Sequence, residues 1–384
     1  MVIFNSFKRH FGAEPEGVFR SPGRINLIGE HTDYNEGFVL PAAIDKYATI
    51  AAGRRHDSRV RLYATEFDEW YEGELETIKP IPGSWTDYVL GVADELMRRG
   101  YPLGGFNMVV SGDVPVGAGL SSSAAIECAV GFALSELFGL RLSRFELAKI
   151  GQAAEHRFPG VQCGIMDQFA SVFGKKDHAL KLDCRSLDYE EVPLRLGAYT
   201  IVLLNTNVKH SLASSAYNER RQQCAEGAAA VARHHDHVAS LRDVTQEMLA
   251  AHVKDPLIYN RCRYVVEENA RVSAAVEQMR RGNIAALGKL MYESHRGLST
   301  QYEVSCPELD YLVNAVKGHP AVAGARMMGG GFGGCTINIM KEEALNELIP
   351  GLEASYRKDM GGSLSVYVAA TADGTGRIEE TITI

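Results

Sequence analysis

The segment that most restricts how this chain can fold is Val114-Pro115-Val116-Gly117-Ala118-Gly119-Leu120-Ser121-Ser122-Ser123-Ala124-Ala125. Upstream, Phe106–Ser111 reads as a strand. Downstream, Ile126, Ala129, Val130, Ala133 and Leu137 follow the helical period to a stop at Gly139. A strand that enters a helix through glycines and serines makes a loop able to wrap phosphate oxygens. The glycines let the backbone approach, the hydroxyls donate, and the helix N-terminus favours an anion. The loop is not a Walker A motif, because the GK[ST] lysine is missing, and it is not a dinucleotide fingerprint, because position 122 is serine. A serine-rich N-cap before an ordinary helix fits less well, since three serines follow two glycines.

Three other segments carry chemistry-bearing residues. Pro22-Gly23-Arg24-Ile25-Asn26-Leu27-Ile28-Gly29-Glu30-His31-Thr32-Asp33-Tyr34-Asn35 places an arginine, a glutamate, a histidine and an aspartate around a short apolar core. Carboxylates accepting from several hydroxyls, beside an imidazole, suit a polyhydroxyl ligand. On spacing alone, a polar turn in which Glu30 and Asp33 cap a helix fits as well. Cys163-Gly164-Ile165-Met166-Asp167-Gln168 puts Asp167 at a helix start, twelve residues beyond Glu155 and across the Pro159–Gly160 breaker. The two carboxylates can converge, Glu155 on a metal ion and Asp167 on a reacting hydroxyl, though a helix cap explains this segment taken alone. Arg326-Met327-Met328-Gly329-Gly330-Gly331-Phe332-Gly333-Gly334-Cys335 is a loop with almost no side-chain bulk, suited to a ligand cleft or to a plain turn. His234-His235-Asp236-His237 lacks the HExxH or Cys/His spacing of a metal site and reads as a solvated loop with no assigned role.

Strands are expected at Gly37–Ile44, Thr49–Gly53, Val60–Ala64, Thr200–Asn205, Cys335–Met340 and Ser363–Ala370. Helices are expected at Asp87–Arg99, Arg144–Phe158, Ser214–His234 and Leu257–Arg281, which makes an α+β chain. Its 384 residues are enough for two or three domains, with a boundary near residue 190 and units 1–190 and 191–384. A net charge of −8 argues against nucleic acid or an anionic membrane as partner. Seven cysteines without CxxC spacing read as reduced thiols. The polar Met1–Phe11 stretch has no apolar signal region, and no eighteen apolar residues run together, so a cytoplasmic protein with no membrane partner is expected.

Taken together, PGRINLIGEHTDYN, VPVGAGLSSSAA, CGIMDQFAS, VSCPELD (304–310) and GGGFGGC resemble the GHMP kinases, specifically the galactokinases, in the expected order from about residue 20 to 335. The first motif is highly specific; the glycine-rich ones mark the superfamily. Ser21, Met328 and Gly330 depart from the usual pattern without touching a residue given a role. The resemblance implies an N-terminal ribosomal S5 domain 2-like lobe, a C-terminal ferredoxin-like lobe and an active site between them. It implies transfer of the ATP γ-phosphoryl group to O1 of galactose, the first phosphorylation of the Leloir pathway, with Mg²⁺; nothing in the sequence suggests more than a monomer. Asp167 would be the catalytic carboxylate and Arg24 would stabilise the transferring group. Glu30, His31, Asp33, Gly164, Asp167 and Tyr217 would bind the sugar, and Gly117, Ala118, Gly119, Leu120, Ser121, Ser122 and Ser123 the ATP phosphates. Ser123 and Glu155 would hold the metal. Kinases for N-acetylgalactosamine, arabinose, mevalonate or homoserine are competing readings, as is a galactose sensor that has lost catalysis. The Glu30-His31-Thr32-Asp33 run opposes the mevalonate and homoserine readings, and the intact loop with Arg24 and Asp167 opposes the sensor.

Overall fold

A computed structural model describes residues 2–208 and 213–379; Met1, 209–212 and 380–384, which fall in the expected 1–190 and 191–384 units, lie outside the described residues. A six-stranded sheet runs in the order Gly376–Arg377, Gly17–Asn26, Pro41–Arg54, Phe106–Gly112, Arg59–Ala64, Glu69–Glu74. All its pairings are antiparallel except that of Arg59–Ala64 with Phe106–Gly112. Phe19, Ile50, Leu62, Phe106 and Met108 from this sheet pack on Val89, Leu90, Leu96, Val130 and Leu134 from the helices Asp87–Arg98 and Ser122–Phe138. The second helix is buried almost all round, and Gly139 at φ +64° ends it in the left-handed cap that glycine adopts without strain.

A four-stranded antiparallel sheet follows, ordered Val322–Met327, Cys335–Lys341, Tyr199–Asn205, Ser365–Ala369. The two sheets share one apolar core, in which Ile25, Leu27, Ile44 and Leu120 meet Ile201, Leu203, Val272, Met291 and Ile337. Ala372 donates to the carbonyl of Ala43 at 2.9 Å, and Gly376–Arg377 then joins the six-stranded sheet, so the chain's last described residues return to its beginning.

The elements differ from expectation in specific places. The expected strands Gly37–Ile44 and Thr49–Gly53 form Phe38–Val39 and one continuous strand, Pro41–Arg54. Polar Asp45-Lys46-Tyr47 looks like a break, but Tyr47 pairs with Pro22 on one side and its carbonyl accepts from Asp113 on the other. The N-terminal segment, polar in sequence, is a helix, Val2–Phe11, that buries Phe7 against Ala51 and Val109. The helices Ile284–Thr300, Pro307–Val316 and Leu345–Met360 are also new relative to the sequence reading.

Candidate active site

The first strand aims Arg24. Its register with Pro41–Arg54 shifts between Pro22 and Arg24, a bulge of the kind that redirects a side chain. A Cβ on Gly23 would come within 2.8 Å of the Leu120 carbonyl oxygen, so only glycine lets strand and phosphate loop lie this close. The Arg24 backbone N–H donates to that same carbonyl, and its Nη1 donates to Gly119 O at 2.6 Å. Nε and Nη2 grip the Asp167 carboxylate in a two-point ion pair, both at 2.7 Å. Asp167 lies in the first turn of Met166–Phe173. Its Oδ2 also accepts from the Ser121 hydroxyl, whereas among the described residues Oδ1 accepts from Arg24 alone. A lone pair of Oδ1 is therefore left for a ligand.

Ser121 does not cap the helix it precedes. It sits at φ +56°, a conformation that costs a non-glycine residue about 1 kcal/mol or more, and its side chain turns to Asp167 instead. Ser123 Oγ donates to Glu155 Oε1 at 3.0 Å, and Gln168 Nε2 donates to Glu155 Oε2 at 2.7 Å and to Glu127 Oε2 at 3.0 Å. Burial, reinforced by the Asp167 charge, raises the pKa of Glu155, and a nearby cation would oppose that shift by stabilising the carboxylate. Ser123 and Glu155 thus suit a hard divalent ion that takes its remaining oxygens from phosphate and water. Among the described residues no group of three or more His, Cys, Asp or Glu side chains forms a metal site by itself.

One pocket gathers Arg24, Glu30, His31, Asp33, Glu155, Gly164, Asp167 and Tyr217. Glu30 Oε1 is held by the Gly329 N–H at 2.8 Å and by Arg326 at 3.0 Å, which fixes the carboxylate in place. Gly164 has no alternative: a Cβ there would fall on the Asp33 carboxylate. Burial, with the Asp167 and Glu30 charges added, pushes the Asp33 pKa up to about 7. Burial lowers the His31 imidazole to about 3, so it is neutral. Its Nε2 lies 3.2 Å from the Gly330 carbonyl, which can only accept; the ring proton therefore resides on Nε2, and Nδ1 accepts from Tyr34 OH at 2.6 Å. His31 thus reaches the pocket with both ring nitrogens already partnered by protein. The Tyr217 ring, on the helix Ala213–Ala232, lies 5.3 Å from both His31 and Tyr34.

Several contributors carried no role in the sequence reading. Arg326, Gly329, Gly330 and Gln168 stand inside the motifs singled out there, but nothing in spacing tells that Arg326 would reach back to Glu30. Glu127 looks like an ordinary helical glutamate and is fully buried. An apolar recess lined by Tyr47, Phe67, Trp85, Val114, Val116 and Ile126 opens beside the phosphate loop, assembled from residues with no common pattern. His234 and His237 are exposed, while His235 is half-buried, 3.2 Å from His252.

A glycine- and serine-rich loop at a helix start, tied directly to an arginine–carboxylate pair that borders a polar pocket, is the arrangement of a small-molecule kinase. Residues 87–175 match the GHMP kinases N terminal domain, 275–358 the GHMP kinases C terminal family, and 5–54 the galactokinase galactose-binding signature. The chain belongs to the galactokinase family of the GHMP kinases. It is 44% identical to the galactokinase of Thermotoga maritima, over 94% of this chain and 99% of that protein. It is 41% identical to that of Roseiflexus sp. (strain RS-1), over 97% and 95%. The fold matches the crystal structure of Lactococcus lactis galactokinase complexed with galactose, with a TM-score of 0.94 and 37% identity over 98% of this chain and 99% of that one. The mevalonate kinase of Methanococcus jannaschii shares the fold, at a TM-score of 0.67 and 19% identity over 93% of this chain and 98% of that one.

Proposed function

We propose that this chain transfers the γ-phosphoryl group of ATP to the anomeric O1 hydroxyl of α-D-galactose, giving galactose 1-phosphate and ADP, with Asp167 receiving or orienting the O1 proton. The observation that carries this reading is the two-point Arg24–Asp167 pair, which leaves one Asp167 oxygen open to the sugar pocket while Arg24 reaches the phosphate loop. Arg24 stabilises charge on the transferring group, and its tie to Gly119 O keeps it beside the loop. Glu30, His31, Asp33, Gly164, Asp167 and Tyr217 form the sugar pocket, and neutral His31 adds no charge to it.

The backbone of Gly117, Ala118, Gly119, Leu120, Ser121, Ser122 and Ser123 cradles the ATP phosphates, because the first N–H groups of Ser122–Phe138 are free of intrahelical partners. The apolar recess at Trp85 and Phe67 suits a flat base and adjoins that loop through Val114 and Ser122. Kinases of this family are typically Mg-ATP dependent, and here Ser123 and Glu155 would hold the ion. When bound, Mg²⁺ neutralises charge on the phosphate oxygens. In the division into 1–190 and 191–384, the first unit supplies Arg24, the loop and Asp167, and the second supplies Tyr217 and the glycine-rich turn at 329–334. Every group named comes from one copy of the chain, so a monomer suffices. Among the described residues no helix is long and apolar enough to cross a membrane.

The test is ADP release with Mg-ATP against galactose, N-acetylgalactosamine, arabinose, glucose and mevalonate, with phosphorus NMR of the product. Turnover on galactose well above the others, with phosphate on the anomeric carbon, is expected. Galactose binding without turnover on any of the five would refute the reaction and favour a sensor.

A further inference from the structure

The segment 304–310 matches the family pattern, yet none of its residues lines the sugar pocket. It grips the glycine-rich turn at both ends. At one end the Val304 carbonyl accepts from the Phe332 N–H at 2.7 Å, and Gly331 packs so closely on Val304 that a Cβ there would overlap its carbonyl. At the other end the contact runs through His295. Met327 closes the strand Val322–Met327, an edge strand, and its N–H donates to His295 Nδ1 at 3.2 Å instead of to a neighbouring strand. An N–H partner makes Nδ1 the acceptor, so Nε2 carries the ring proton and points it at Asp310 Oδ1, 3.2 Å away. Asp310 is itself held by Ser299 at 2.9 Å and Ser305 at 2.5 Å.

His295 is buried on the helix Ile284–Thr300, and that helix is locked to the strand. Gly288 and Gly324 pack backbone to backbone, and a Cβ on either would collide with the other element. Between the two pins, at Met327 and Phe332, lie Gly329, whose N–H holds Glu30, and Gly330, whose carbonyl holds His31. A stretch of glycines has little stiffness of its own. Its shape must come from what grips its ends.

We propose that His295 is a positioning residue for sugar binding: bridging Asp310 and the Met327 N–H, it fixes the glycine-rich turn that presents Glu30 and His31 to galactose. The proposal rests on the reading of Glu30 as a sugar ligand, so Glu30→Gln is measured alongside. His295→Leu fills the space and leaves the Met327 N–H without a partner. His295→Asn restores an acceptor, since its amide oxygen falls near the position of Nδ1.

In steady-state assays with galactose and ATP varied separately, His295→Leu is expected to raise the galactose KM about tenfold with the ATP KM within about twofold. His295→Asn is expected to recover the galactose KM to within about threefold of the parent protein. Glu30→Gln should raise it at least as much as His295→Leu. Three results overturn the proposal. One is a galactose KM unmoved by His295→Leu while Glu30→Gln raises it; another is an equal rise for both substrates; the third is no recovery with asparagine. If Glu30→Gln itself has no effect, the Glu30 reading falls and the proposal with it. Where His295→Leu does not fold, Asp310→Ala replaces it, with a rise in galactose KM of about threefold expected and no rise counting against the proposal.

Discussion

In the proposed sugar pocket, Asp33 should make galactose binding depend on pH in a direction that can be worked out beforehand. Burial and the charges of Asp167 and Glu30 raise its pKa to about 7, against an ordinary aspartate near 4. In the proposed binding mode the ionised carboxylate would accept from sugar hydroxyls, and ionisation is complete only above the raised pKa. With a pKa of about 7, roughly nine-tenths of the molecules carry the carboxylate at pH 8 and roughly one-tenth at pH 6. The galactose dissociation constant should therefore rise about tenfold between pH 8 and pH 6. His31 contributes nothing to this slope, because its pKa of about 3 keeps it neutral throughout. Calorimetric titration with galactose and no nucleotide isolates binding from phosphoryl transfer. Asp33→Asn cannot ionise, so its affinity should be weaker and flat across the same range. A parent affinity that does not change from pH 8 to pH 6, or a slope that survives in Asp33→Asn, would refute the reasoning.

Further outcomes follow from particular contacts. Gly164→Ala drives a methyl group into the Asp33 carboxylate and should raise the galactose KM about tenfold or more with the ATP KM unchanged, as read by separate substrate titrations. Glu155→Gln should raise the Mg²⁺ concentration for half-maximal activity about tenfold or more at fixed ATP, because the charged oxygen proposed to hold the ion, paired here with Ser123, would become neutral. Arg326→Met removes a fully buried guanidinium that bonds to Leu27 O, Met327 O and Glu30, and urea unfolding should show a loss of about 3–5 kcal/mol.

The sequence disclosed the site better than it disclosed its supports. Arg24, Glu30, Asp33 and Asp167 sit in motifs whose residue types already suggest their chemistry, and they converge on one pocket. The convergence itself depends on tertiary contacts. Ser121 illustrates the difference: in sequence it is one of three serines at a helix start, and in the fold its positive φ turns the hydroxyl from the helix to Asp167. Arg326 reads as a residue flanking a glycine run, because nothing local indicates that it crosses 296 positions to Glu30. Trp85 and Phe67 form an apolar recess only after the first sheet and its helix have packed. The same limit explains the strand Pro41–Arg54. Its polar middle looks like a turn until neighbouring backbones are seen to satisfy it on both sides.

The central claim, that Asp167 takes or orients the O1 proton while Arg24 steadies the transferring group, is tested most directly by kcat of Asp167→Asn with saturating Mg-ATP and galactose. The substitution keeps size and polarity but removes the base and the two-point ion pair with Arg24. A fall in kcat of about 10²–10⁴-fold, with galactose binding still measurable by calorimetry, is the predicted result. Retention of kcat within about threefold of the parent protein would contradict the account and leave positioning and charge stabilisation as the sources of the rate.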